Sequence, residues 1–325
     1  MRKFLNTIFW AFLVPLLICV LIFLTTIFLV PTTPRRRLSL YLLGSIQKDS
    51  MLKHTASPRI IFVGGSNITQ GLNSQIIRDS LKINPINTSI TGYLGLVYMM
   101  DNTSQYIRNG DIVVLIPEYS QFYNDRAYGS EGEDLTRVVF DVDKSKLRLI
   151  HHKQLLNIIP RLPAYFESKL DPSEYNVIPE PKGYYTTPFN KYGDDYKSRT
   201  RKRVQFEPLK TMGSKFDAGV FDEIKKFQSE VQKKGGKLFI SYPCLQERSF
   251  LNCKDQIDTI DQLYIKYMFN IIGKPENYSF PDSLVLDFAF HLNAPGQDRR
   301  TIMFIRDFKA KLREQKDNAH RTDIR

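Results

Sequence analysis

Cysteine is scarce in this chain, three residues in 325, and histidine is little commoner at five. With so few thiols and imidazoles there is no spacing that reads as a zinc site, and few positions can supply an imidazole base. No helix-turn-helix pattern and no aromatic-basic RNA signature appears, so nucleic acid is set aside as a partner although the formal charge is +12. No cofactor fingerprint and no internal repeat is visible. Charge is missing altogether from Phe4 to Pro34.

That uncharged stretch is what the sequence has instead. Ile8 to Val30 is almost wholly apolar, and a run of more than about 20 such residues can cross a bilayer as a helix. It is too long for the core of a signal peptide. No small-residue cleavage motif follows it, only Val30-Pro31-Thr32-Thr33-Pro34-Arg35-Arg36-Arg37. Residues 1–36 therefore read as an uncleaved single-pass anchor, through which the protein meets membrane lipid. Arg2 and Lys3 compete with Arg35, Arg36 and Arg37, and a literal positive-inside count favours a cytoplasmic body. A very short basic N-terminus ahead of a first apolar segment usually stays inside, which favours the reverse. Cys244 and Cys253 flank one loop, a pairing that an oxidising compartment would allow as a disulfide, with two unrelated thiols as the alternative. The balance favours a cell-membrane protein with an extracytoplasmic body. The basic excess suggests an anionic neighbour, lipid or acidic glycan, or only solvated faces around 199–203 and 309–313.

After an anchor-proximal stretch, 37–57, the pattern becomes regular. Ile60-Ile61-Phe62-Val63 is a run of β-branched and aromatic residues that enters Gly64-Gly65-Ser66-Asn67, and a helix signal follows at Asn73-Ser74. A short strand ending in a polar turn, 85–92, a helix within 94–108, and a continuous apolar strand, 111–117, come next. Strand, helix, strand, helix, strand predicts a doubly wound parallel α/β unit. Periodicity fails from about 120 to 212, which reads as an insertion with one helix near 144–159. A helix over 217–234, a strand at 237–242, a helix over 255–269 and a last helix from Ala294 to about Gln315 complete the domain, 58–315. The tail, 316–325, is expected to be disordered.

Ser66 at the carboxyl end of the first strand lies where open α/β sheets place ligands. A serine needs a base to become a nucleophile, and imidazole works best when a carboxylate orients it. Among the five histidines only His291 has a nearby acid, Asp287, together with Asn293 and a helix start. His151 and His152 read as surface or packing residues. The bland alternatives are a turn-capping Asp287 and a boundary His291.

Gly64-Gly65-Ser66-Asn67, then Asn87 with Gly92, then a strand with a polar exit, then Asp287-x-x-x-His291-Leu292-Asn293 resemble the ordered blocks of SGNH/GDSL-type hydrolases. With Gly110-Asp111 through Glu118-Tyr119, the set is similar to the membrane-anchored branch tied to cell-envelope polysaccharide acylation. The resemblance covers roughly 59–119 and 237–305. It implies a three-layer α/β/α fold, Ser66 as nucleophile, His291 as base, Asp287 as its orienting acid, and the amides of Ser66 and Gly92 as oxyanion donors. It implies no cofactor, a cell-envelope glycan as substrate, and a membrane-bound acyltransferase as a partner. Two departures stand out. The block that ordinarily supplies an asparagine to the oxyanion hole ends here in Pro117-Glu118-Tyr119, and the acid lies four residues before the histidine instead of three. Asn67 is the candidate substitute. Glu118, Tyr119 and Asn293 are candidate substrate contacts, and Tyr184, Tyr185, Phe189 and Tyr192 of the insertion either line a groove or merely pack. The function expected is a serine esterase or O-acyltransferase working through an acyl-Ser66; the rival is an inert glycan-binding or assembly scaffold. A lipase or thioesterase would need an apolar acyl channel that the polar insertion does not suggest.

Overall fold

The computed structural model describes residues 1–37, 40–176 and 189–323. It opens with α1 (Arg2–Leu29), a helix of 28 residues. At 1.5 Å per residue α1 is about 42 Å long, more than the roughly 30 Å of a bilayer's hydrocarbon core. Among the described residues it is the one helix long and apolar enough to cross a membrane. Phe12, Leu16 and Leu21 along it are each more than half exposed, the pattern of an element whose apolar partner lies outside the chain.

Of the elements that follow, the longer are named in order. They are α2 (Leu40–His54), β1 (Arg59–Gly64), α3 (Ser74–Leu81), β2 (Asn84–Asn87), α4 (Leu96–Ser104), β3 (Ile112–Ile116), α5 (His152–Ile158), α6 (Leu162–Leu170), α7 (Gly219–Lys233), β4 (Lys237–Ile240), α8 (Lys254–Lys266) and α9 (Ala294–Asp323). A two-residue parallel pair, Leu245–Gln246 beside Ser279–Phe280, adds a small second sheet that the sequence pattern does not announce.

The main sheet is wholly parallel, in the order β2-β1-β3-β4. Its central strands, β1 and β3, read as nearly continuous apolar runs because both faces are covered. Ile61, Val63, Val113, Leu115 and Ile240 pack in one cluster with Val97 and Met100 of α4 and Ile224 and Val231 of α7. Ile60, Phe62, Val114, Ile116 and Phe239 pack in a second with Ile77 of α3 and Phe304 and Phe308 of α9. Each fully buried Ile, Val or Phe contributes about 1.5–3 kcal/mol relative to leaving it exposed. At the sheet's amino end Arg59 is fully buried and meets Asp111 through two hydrogen bonds, Nε to Oδ1 at 2.9 Å and Nη2 to Oδ2. The pair therefore fixes the β1–β3 register at the far end of the strands from Gly64.

Three expectations change. The helix expected near 144–159 begins only at His152, because Ile150 and His151 are extended and His151 caps the helix: its Nδ1 accepts from the Lys153 amide at 3.3 Å. The preceding 144–149 is a tighter 3₁₀ turn. A second helix, α6, follows it and was not foreseen; Pro163 sits in its first turn, where proline costs no hydrogen bond. The expected disordered tail is instead a continuation of α9 to Asp323, since a helix nucleated by packing propagates at little cost per residue. Nor do the cysteines pair: Cys244 and Cys253 are both free and buried, separated by a strand and the helix Glu247–Asn252. The Cys244 thiol donates to Phe290 O at 2.9 Å.

The insertion is held to the anchor by buried charge. Arg36 lies 3.7 Å from Asp141 and 3.4 Å from Glu174, and Tyr165 Oη donates to Asp141 Oδ1 at 2.6 Å. Thr33 donates to Glu174 at 2.8 Å, and Lys169 Nζ donates to Val30 O at 2.7 Å. Tyr184 and Tyr185 lie outside the described residues. Phe189 is buried under the Lys48 ammonium, 4.1 Å from the ring centre, and Tyr192 donates to Gln75 at 3.1 Å. Both pack; neither lines the cavity described next.

Candidate active site

Ser66 follows β1 directly and starts a one-turn helix, Ser66–Thr69. The two glycines before it are there for space. A Cβ on Gly64 would collide with the Ile116 carbonyl and the Ile68 side chain, and one on Gly65 with the Glu118 carboxylate. Ser66 therefore rises at the carboxyl ends of the central strands β1 and β3, where their backbones are too close for any larger residue.

His291 and Asp287 share a tight loop just before α9. Leu286 N–H donates to His291 O and His291 N–H to Phe288 O, each at 2.9 Å, so the loop is closed on itself. This geometry absorbs the extra residue between acid and histidine. Asp287 Oδ1 lies 2.8 Å from His291 Nδ1, and His291 Nε2 lies 2.9 Å from Ser66 Oγ. With the carboxylate accepting from Nδ1–H, Nε2 is left as the acceptor for the serine proton. The hydrogen bond from His291 holds the Asp287 carboxyl below its ordinary range, against the opposing effect of partial burial and helped by the Arg201 guanidinium.

Glu118 is the other group at the nucleophile. Its Oε1 lies 3.3 Å from Ser66 Oγ and accepts the Asn67 amide N–H at 3.1 Å and Asn67 Nδ2 at 3.4 Å. The carboxylate is slotted between Gly65 and Gly92, and a Cβ on Gly92 would come within 2.9 Å of Oε2. Ser66 has one hydroxyl proton and two acceptors for it. The shorter contact to His291 favours the productive arrangement, and the Glu118 contact competes with it.

Asn67 does not face the cavity. It is fully buried, its Nδ2 also reaches Ile116 O at 3.4 Å, and its Oδ1 accepts from Arg300 Nη2 at 3.1 Å. Its side chain is thus committed to the fold, and of the expected oxyanion donors Ser66 and Gly92 border the cavity. Tyr119 is buried in the core, where desolvation pushes its hydroxyl pKa well up. Asn293 caps α9, its Oδ1 accepting from Gly296 N at 3.1 Å. Of the three candidate substrate contacts, only Glu118 lines the cavity.

Two arginines were missed. Arg201, in the basic run assigned to solvated faces, lies 3.4 Å from Asp287 Oδ2 and 3.1 Å from Asp195. Its neighbour Arg199 grips Asp298 through both nitrogens at 2.9 Å. Arg300 is buried beneath the serine turn and donates to Asn67 O and, at 3.3 Å, to Tyr242 O. Gly71 is what admits it, since a Cβ there would strike Asn67 O and Arg300 Nη1. The glycine was a visible signal for close approach; the arginine, more than 200 residues away, was not.

Above Ser66 opens a cavity of about 510 Å³, bordered by Gly92, Glu118, Phe288 and His291 on the sheet side and by Arg126 and Met212 of the insertion. Arg126 and Glu131 pair at 2.6 Å on its wall. Among the described residues no group of His, Cys, Asp and Glu is arranged to hold a metal ion. Comparison with protein-family models and with curated proteins finds no match.

Proposed function

We propose that the chain is a membrane-anchored serine esterase or O-acyltransferase of the SGNH type, with a three-layer α/β/α body. The observation that carries this reading is the Ser66–His291–Asp287 relay, with contacts of 2.9 and 2.8 Å, at the floor of a cavity. In the first half-reaction Ser66 Oγ attacks an ester carbonyl and passes its proton to His291 Nε2. The carbonyl collapses with loss of the alcohol, which takes that proton from His291, leaving acyl-Ser66. Water or a sugar hydroxyl then gives its proton to His291 and attacks the acyl carbon, and Ser66 recovers a proton as it leaves. Asp287 holds the imidazole tautomer and offsets its charge at each step. The amides of Ser66 and Gly92 face the developing oxyanion, each such donor being worth about 3 kcal/mol.

The substrate proposed is an acylated, most simply acetylated, cell-envelope polysaccharide. The body lies outside the cytoplasm, and a membrane-bound acyltransferase is the proposed source of acyl groups. One observation favours the rival reading of an inert scaffold: Glu118 sets a carboxylate 3.3 Å from the nucleophile, where negative charge would have to develop. A fluorophosphonate probe and a small aryl acetate decide between them. Labelling and turnover by the full chain, both lost in Ser66→Ala, are expected. No labelling and no turnover by the wild type would leave the scaffold reading.

A further inference from the structure

The insertion carries an exposed apolar stripe whose place against α1 says what covers it. Leu155, Leu156, Ile159, Pro160, Pro163 and Ala164 are the exposed residues from the middle of α5 to the first turn of α6, and all six are apolar. Their spacing, pairs repeated every four residues, puts them on one side of a helical rod. Leu156 and Ile159 are 68 % and 56 % exposed, although the opposite side of the same rod buries Ile158 and Tyr165 in the core. A stripe of this kind on a water-facing insertion costs solubility unless something apolar lies against it.

The position of α6 supplies the partner. Phe166 packs on Phe23 of α1 with ring centres 5.2 Å apart, and Phe140 packs on Phe28 at 5.6 Å. Phe23 stands seven residues inside the end of the apolar run at Val30, about 10 Å along the helix axis. Interfacial helices sink about 5–10 Å below the headgroups, so a helix docked at Phe23 sits at that depth whenever α1 spans a bilayer. Charge agrees with this placement. Arg35 and Arg37 are exposed at the end of the apolar segment, where lipid phosphates lie.

We infer that α5 and α6 form a membrane-embedded platform, lying in the lipid interface beside α1, and that the domain rests on the bilayer instead of swinging on its anchor. The inference needs α1 to span a membrane and is independent of the chemistry at Ser66. It also fixes the height of the cavity. Arg161 Nη2 donates to Ser130 O at 2.7 Å and Asn157 Nδ2 to Tyr128 O at 3.2 Å, so the platform is bonded to the loop that carries Arg126 and Glu131 on the cavity wall. A cavity held so favours substrates presented at the membrane surface over those in free solution.

The test uses the full chain in lipid nanodiscs of mixed zwitterionic and anionic lipid. The single native tryptophan, Trp10, is first replaced by phenylalanine. Leu156→Trp and Ile159→Trp then report on the stripe, and Leu251→Trp, 65 % exposed on the helix Glu247–Asn252, serves as the wet control. The expected result is blue-shifted emission from the two stripe tryptophans, quenched about twofold or more when the lipid acyl chains are brominated, with the control unchanged. Water-like, unquenched emission from the stripe overturns the platform. So does a blue shift without bromine quenching, which would mean that protein covers the stripe. Retained native Trp10 that bromolipid fails to quench overturns both the span and the platform.

Discussion

Two networks of charged side chains hold the insertion in place, and they differ in how much water reaches them. At the candidate site the Asp287 and His291 side chains are 28 % and 15 % exposed, and Arg201 beside them is 43 % exposed. At the anchor junction Arg36 and Asp141 are 7 % and 2 % exposed. Both networks contain a carboxylate held by a cation and a hydrogen-bond donor. Water reaches the open one and scarcely reaches the closed one, where the loss of Asp141 leaves Arg36 with Glu174 alone. The comparison teaches that the first is suited to chemistry and the second to mounting, and the substitutions below separate the two.

The largest effect belongs to the open network. Asp287→Asn keeps the shape but loses the tautomer control, and turnover of an aryl acetate is expected to fall about 10⁴-fold with little change in melting temperature. A fall of less than about tenfold would show that Asp287 does not orient the base.

The mirror experiment strikes the closed network. Asp141→Leu removes the carboxylate that Arg36 shares with Lys169, 3.7 Å and 4.0 Å away, leaves Arg36 with Glu174 alone, and is expected to cost about 3–5 kcal/mol of stability by chemical denaturation. Turnover per folded molecule should hold. If stability stays and turnover collapses, the division of roles is wrong.

Lys48 tests burial by titration. Burial pushes this lysine down from its ordinary range to about 7, against the opposing pull of Asp194 and Asp195. Its Nζ donates to Asn87 O at 2.8 Å and to Gly193 O. Since its pKa is lower in the folded chain than in the unfolded one, the unfolded chain binds more protons between about pH 7 and pH 10.5. Stability from this group therefore rises as pH is raised through that window, on the order of 5 kcal/mol in all. Lys48→Met should remove that slope, read as the pH dependence of the difference from wild type; an unchanged slope would place the titration elsewhere.

The smallest and most informative change is Glu118→Gln. It removes the charge beside Ser66 and offers an amide donor in the slot between Gly65 and Gly92, so fluorophosphonate labelling of Ser66 should rise about 10- to 100-fold. A fall in labelling would make Glu118 a helper of the nucleophile.

How much of this was legible follows from range. β1 and β3 were readable because a parallel strand covered on both faces must be apolar at every position. Helices α7 and α8 were readable because one buried face imposes a 3.6-residue period. The helical turns of 134–149 and α6 were not: their order comes from packing on α1 and α2 and from prolines at helix starts, neither of which leaves a period. Ser66, His291 and Asp287 were nameable because so few histidines compete for the role of the proposed base. Arg201 and Arg300 were not, because a basic residue in a charged stretch looks the same whether it meets water or a carboxylate.

The sequence by itself determined the apolar N-terminal helix, the four parallel strands and the three residues of the relay, since each rests on composition or on local period. Tertiary structure alone decided that Ser66 meets His291 across 225 positions of chain. It also decided that Glu118 takes the slot expected of a neutral donor, and that α6 lies on α1. The physical reason is that side chains far apart in the chain meet only through strand register and helix crossovers, which no local pattern encodes.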